Sequence, residues 1–183
     1  VAAARAAFKT WSKTPIEDRR AVIMKISAAI KENADELMRL LTSEQGKPHA
    51  QATGEIYGAA GMAAAQSTLS LEDEINEDSE TRLSRTRRVP VGVVGGIVPW
   101  NFPVMMAVQK IVPALLSGCT MVLKPPQLAP YSAQILAEIM HEAGTPAGVF
   151  NMVQGQGSVI GTALSRHRDV DMISFTGSEP VGI

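Results

Sequence analysis

Four short apolar runs mark the second half of the chain: VGVVGGIV (91–98), TMVLK (120–124), VFNMV (149–153) and VDMISF (170–175). Helix-length segments alternate with them, at 103–117 closed by Gly118, 131–143 closed by Gly144, and 158–166. Strands that are apolar along nearly their whole length are buried on both faces. Alternation with amphipathic helices therefore predicts an open parallel α/β sheet of Rossmann type, covered on both sides.

The first half is different. Residues 1–70 read as helix after helix, beginning with the alanine-rich VAAARAAFKTW. Thr14-Pro15-Ile16-Glu17 has the form of a capping box with proline at the first helical position. Ile16, Ile23, Ile26 and Ile30 then fall on one helical face, and Leu37, Leu40 and Leu41 continue the pattern to Gln45, where Gly46 and Pro48 stop it. Between Ala50 and Leu69, Ile56, Ala59, Ala60 and Ala63 form a narrow stripe suited to close helix packing.

Between these halves an acidic segment, LEDEINEDSE, is followed by a basic one, TRLSRTRR. Arg82, Arg85, Arg87 and Arg88 lack the aromatic interleaving of a nucleic-acid surface, so an exposed, mutually offsetting strand pair is expected. A formal net charge of −1 agrees with having no nucleic-acid or anionic-membrane partner. Four prolines and Lys110 interrupt the most apolar stretch, 89–123, so no membrane span is expected. A single cysteine, Cys119, excludes an internal disulfide framework and suits a reducing, cytoplasmic setting. Its S-G-C-T context before an apolar strand is that of a small buried residue. His49, His141 and His167 lack metal-ligand spacing, and no metal is expected. Val1 stands inside a helical pattern and Ile183 follows FTGSEPVG, where another helix begins, so the chain is expected to be a piece of a longer protein.

Ligands of open α/β sheets bind beyond the carboxyl ends of the strands, and the unusual residues cluster there. Pro99-Trp100-Asn101-Phe102-Pro103 follows the first strand, and Lys124-Pro125-Pro126-Gln127 ends the second. Gly155, Gly157 and Gly161 follow the third, and Thr176-Gly177-Ser178 the fourth. Individually each has a plain reading. The glycines form a turn one residue longer than the dinucleotide fingerprint, Ser178 is a helix cap, and Lys124 reaches water.

Together, P-W-N-F-P, S-G-C-T-x-V-L-K-P, the glycine loop and F-T-G-S, in this order and spacing, resemble the NAD(P)-dependent aldehyde dehydrogenase family. The stretch Glu44-Gln45-Gly46-Lys47-Pro48 resembles the family's E-x-G-K-P, and a succinate-semialdehyde-dehydrogenase-like subgroup is one branch it is similar to. The resemblance implies that residues 1–73 are the helical part of a cofactor-binding domain. It makes 74–90 protruding strands for homo-oligomerisation, as dimer or tetramer, and 91–183 the nucleotide-binding α/β domain, truncated at its carboxyl end. It implies oxidation of an aldehyde to a carboxylate with hydride transfer to NAD, or NADP. A non-catalytic nucleotide-binding or assembly module on the same fold is the alternative.

By the same resemblance, Asn101 is the catalytic residue whose amide helps form an oxyanion hole for a charged thiohemiacetal oxygen. Pro103 fixes φ and biases Phe102 to an extended conformation, presetting that loop. The cofactor-binding role falls on Val98, Pro99, Trp100, Lys124, Pro125, Pro126, Gln127, Gly157, Gly161, Phe175, Gly177 and Ser178. Trp100 and Ser178 match positions near the pyrophosphate, Lys124 the adenosine ribose, and Gly157 and Gly161 the close backbone approach to the adenosine half. Many members carry glutamate where this chain has Gln127, so NAD use with tolerance of NADP is expected. The family's nucleophilic cysteine and general-base glutamate follow F-T-G-S, and Cys119 does not match the nucleophile. The 183 residues alone are therefore expected to be inactive.

Overall fold

The computed structural model describes residues 1–70 and 72–182. Leu71 and Ile183, at the edges of the acidic segment and of the α/β region, lie outside the described residues. The chain opens with α1 (Ala2–Trp11), α2 (Ile16–Glu32), α3 (Ala34–Gln45) and α4 (His49–Ser67). An antiparallel pair follows, β1 (Glu74–Asp78) and β2 (Leu83–Thr86). The remainder is β3 (Val93–Ile97), α5 (Pro103–Leu116), β4 (Thr120–Lys124), α6 (Pro130–Glu142) and β5 (Phe150–Met152). It ends with a π-helical turn (Gly157–Gly161), α7 (Thr162–Ser165), β6 (Met172–Phe175) and α8 (Glu179–Gly182).

The larger sheet is parallel with strand order β5-β4-β3-β6. Alternate residues of β3 and β4 serve its two faces. Val94, Met121 and Leu123 join a core with Ile23, Ile26, Ile30, Ile56 and Leu115 from the helices. Val93 and Val122 point the other way, against Ala4 of α1 and Leu164 of α7. Both faces are thus covered, as apolar runs of this kind require. At about 1.5–3 kcal/mol per buried large aliphatic side chain, this burial is what holds helices to sheet. The α4 stripe is buried throughout, with Ala52, Ile56, Ala59, Ala60 and Ala63 inaccessible.

Several local expectations are corrected. The capping box does not form: the hydroxyl of Thr14 donates back to the carbonyl of Thr10 at 3.3 Å, and Glu17 pairs with Arg20 instead. The run from Ile16 to Gln45 is two helices, broken at Asn33, whose side chain donates to the carbonyl of Ala29 at 2.9 Å. Gly92, at φ +131°, keeps residues 91–92 out of β3. The helix expected at 158–166 is a wide π-turn running into one short α-turn, with glycine at each end of the π segment.

The helices α5 and α6 begin alike. Each has proline at its first position and a residue before it, Phe102 or Ala129, that offers no side-chain cap. A glutamate from the helical layer supplies one in each case. Glu44 accepts the N–H groups of Tyr131 and Ser132 at 2.5 and 3.1 Å, and Glu55 those of Val104 and Met105 at 3.0 and 3.2 Å. A carboxylate at a helix N-terminus satisfies otherwise orphaned donors and meets the positive end of the dipole.

The β1–β2 pair stands out from this body with almost every residue exposed. Its charges offset across the ribbon, through Arg85–Asp73 at 3.3 Å and Arg82–Glu77 at 3.3 Å.

Candidate active site

In order of sequence the sheet strands run outward from β3 to β4 to β5, and the chain then returns to place β6 on the other side of β3. That reversal is a topological switch point, where the loops leaving adjacent strands diverge and open a crevice. The two loops that diverge are Val98–Phe102 after β3 and Thr176–Ser178 after β6.

Between them lies an open cleft of about 630 Å³ lined by Val98, Pro99, Trp100, Asn101, Phe175, Thr176, Gly177 and Ser178, together with Ile97 and Val181. The loops are stitched to the sheet at their bases, where Val98 N–H donates to Lys124 C=O at 3.3 Å and Thr176 N–H to Ile97 C=O at 3.1 Å. Trp100 and Asn101 are exposed at the rim. A second hollow of about 310 Å³ adjoins the first along Ile97, Phe175 and Val181, and is lined further by Gly157, Ser158, Gly161, Thr162 and Ile173.

Lys124 ends β4 and is only 4 % exposed, so it does not simply reach water as an ordinary surface lysine would. Desolvation by burial holds its pKa below the usual lysine value. Its ammonium lies 4.0 Å from where a Cβ on Gly157 would stand, which leaves the glycine turn open above it. Pro125 and Pro126 are buried and Gln127 is exposed, and among the described residues none of the three lines either hollow. Gly177 is dictated by its neighbour, since a Cβ there would fall 2.5 Å from the Phe175 ring.

Three residues of the neighbourhood carry weight that sequence reasoning missed. Lys110 of α5 is buried and donates to the hydroxyls of Thr176 at 2.7 Å and Ser174 at 3.3 Å, beneath the β6 loop. Burial lowers its pKa as well. Glu55 and Lys47 form a buried ion pair against the β3–α5 loop. Glu55 was detectable in principle, because it lies within the stripe of small buried residues on α4, where a carboxylate must find partners.

Cys119 is buried and lies outside both hollows. The three histidines are exposed, and no cluster of metal-ligating side chains occurs among the described residues. No helix among them is long and apolar enough to cross a membrane.

Comparison with known proteins agrees with this architecture. The model of the "Aldehyde dehydrogenase family" matches residues 1–183. A 3-succinoylsemialdehyde-pyridine dehydrogenase of Pseudomonas sp is 40% identical over 182 residues, covering 100% of this chain and 38% of the relative. The NADP(+) succinate-semialdehyde dehydrogenase of Escherichia coli (strain K12) is 40% identical over 183 residues, covering 98% and 38%. Among solved structures, an aldehyde dehydrogenase of Pseudomonas syringae in complex with NAD+ and octanal superposes with a TM-score of 0.91 at 39% identity, covering 99% of this chain and 37% of that one. The chain therefore spans about 38% of the length of the relatives it matches. With the match running from the first helix through the F-T-G-S loop, the chain belongs to the aldehyde dehydrogenase family.

Proposed function

We propose that these residues form the cofactor-holding and oxyanion-donating part of an NAD(P)-dependent enzyme that oxidises an aldehyde to a carboxylate. The observation that carries the reading is the cleft at the switch point, with Asn101 at one lip and Gly177-Ser178 at the other. A dinucleotide fits what is there. The cleft and its adjoining hollow share Ile97, Phe175 and Val181, and the hollow is lined by Gly157 and Gly161 of the glycine turn, beside the buried Lys124.

When bound, NAD(P) supplies the hydride acceptor. The protein's own residues hold and orient it: Trp100 and Ser178 flank the diphosphate, and Lys124, with Gln127 beyond the two prolines, addresses the adenosine ribose. Gly157 and Gly161 admit the adenosine half, Val98, Pro99, Phe175 and Gly177 shape the walls, and Pro125 and Pro126, outside both hollows, carry the chain from Lys124 to Gln127. Asn101 donates its side-chain N–H to the substrate oxygen as negative charge develops, and a preset donor needs no reorganisation at that moment. Its side-chain amide makes no hydrogen bond to the described residues, so it is available to a ligand.

A semialdehyde, with a carboxylate at its far end, is the proposed substrate class, supported by the relatives named for malonate, glutarate and succinate semialdehydes. The exposed β1–β2 pair is the proposed arm for association with a second copy, and the cytoplasm the proposed location. Incubating the full-length protein with succinate semialdehyde and either NAD or NADP should produce reduced cofactor and the dicarboxylate. Failure to reduce either cofactor with this or any other aliphatic or aromatic aldehyde would reject the reading.

A further inference from the structure

The ammonium of Lys47 and the carboxylate of Glu55 form a hydrogen-bonded ion pair, 7 % and 1 % exposed, in the angle between α4 and the loop that carries Asn101. Each partner has a second engagement, and the two fall at opposite ends of the segment from Asn101 to Met105. Lys47 Nζ donates to the main-chain carbonyl of Asn101 at 2.7 Å and stands 4.1 Å from the centre of the Phe102 ring. Glu55 Oε1 accepts the N–H groups of Val104 and Met105, the first turn of α5.

From this geometry we infer that Lys47 and Glu55 are positioning residues for the oxyanion donor Asn101; the inference rests on the role assigned to Asn101 above. The peptide plane between Asn101 and Phe102 cannot rotate without breaking the Lys47 contact. The start of α5 cannot shift without uncapping Val104 and Met105. Pro103 restricts one torsion between these two anchors, so the main chain leaving the Asn101 Cα is held at its carbonyl and again at the start of α5, while Val98 N–H on Lys124 C=O ties the loop before it. A buried ion pair is a poor device for stability alone, since apolar residues of similar volume commonly serve as well or better. Placing a charged donor on the carbonyl of one loop residue and a charged acceptor on the helix start just after it is something apolar packing cannot do.

The test is a double-mutant cycle on the full-length enzyme, reading kcat and the Kd for NAD. Lys47→Met should lower kcat about tenfold, the scale of effect of a slightly misplaced catalytic group, and leave the Kd within about twofold, as expected for a site not in contact. In an Asn101→Ala background the same substitution should change kcat by less than about twofold, because the group it positions is gone. A tenfold loss that persists in that background, or a Kd that moves in step with kcat, overturns the inference while leaving Asn101 its role. An Asn101→Ala enzyme of wild-type kcat removes the role of Asn101 and the inference with it. Glu55→Gln, which keeps an acceptor oxygen toward Val104 but loses the charge, runs the same cycle with the same expected and overturning results if Lys47→Met does not fold.

Discussion

A Cβ on Gly177 would stand 2.5 Å from Cζ of Phe175, two residues earlier, and Phe175 lines both hollows of the site. The glycine is therefore required by a packing contact and not by an unusual backbone angle. Gly177→Ala must shift the Phe175 ring, which borders the space proposed for the cofactor. Overpacking of this kind costs about 1–3 kcal/mol, so the Kd for NAD of the full-length protein should rise about ten- to a hundredfold. An unchanged Kd would show that Phe175 does not border the bound cofactor.

Asn101 carries the proposed oxyanion contact. Asn101→Ala should lower kcat by roughly 10²–10³ with little effect on cofactor affinity, by comparison with the loss of one oxyanion-hole donor. A loss below about threefold in steady-state kinetics would count against the role.

Gln127 is neutral and exposed, just beyond the lysine that ends β4. A carboxylate there would accept from ribose hydroxyls and repel a 2′-phosphate, so the natural residue should tolerate NADP. Gln127→Glu should raise the preference for NAD over NADP about tenfold, the scale of one added charge near a surface. Affinities for both cofactors measure it, and a wild-type preference for NAD of several thousandfold would defeat the expectation.

Burial lowers the pKa of Lys124, so its ammonium loses its proton at a pH below the ordinary lysine value of about 10.4. Cofactor binding that uses the charged form is strongest below the depressed pKa and weakens as pH rises through it. Titrating the Kd for NAD across the alkaline range should show this weakening begin before free lysine would titrate. Lys124→Met should bind more weakly throughout and show no such inflection. A wild-type curve parallel to the variant's would exclude Lys124 from the contact.

Cys119 is buried and lies outside both hollows. Cys119→Ala should keep kcat within about twofold and lose only a small amount of stability, as for removal of a small buried side chain. Abolished activity with an intact fold would require its thiol in the chemistry.

The parallel sheet was legible in the apolar runs because a strand buried on both faces can tolerate almost no polar residue, and that constraint is written position by position. Helix ends at Gly46, Gly118 and Gly144 were legible for the same local reason, as all three take positive φ. The stiffness around Asn101 followed from the flanking prolines, and the family from the order of its loops. The start of α2 was misread because the carbonyl of Thr10, in the last turn of the preceding helix, accepts the Thr14 hydroxyl as well as the N–H of Lys13, which takes that hydroxyl away from a cap. Neither side of the cleft could be read as adjacent to the other, since β6 follows β5 in sequence yet pairs with β3. Glu55 and Val104 stand 49 residues apart, and Lys47 and Asn101 stand 54 apart. Periodicity, caps and turns are energies between residues a few positions apart, and local sequence carries what depends on them: elements, their ends and the composition of each loop. Which loops face one another, and which buried charges hold them, was decided only when α4 packed against α5 and brought an unsatisfied carboxylate and ammonium to groups that could satisfy them.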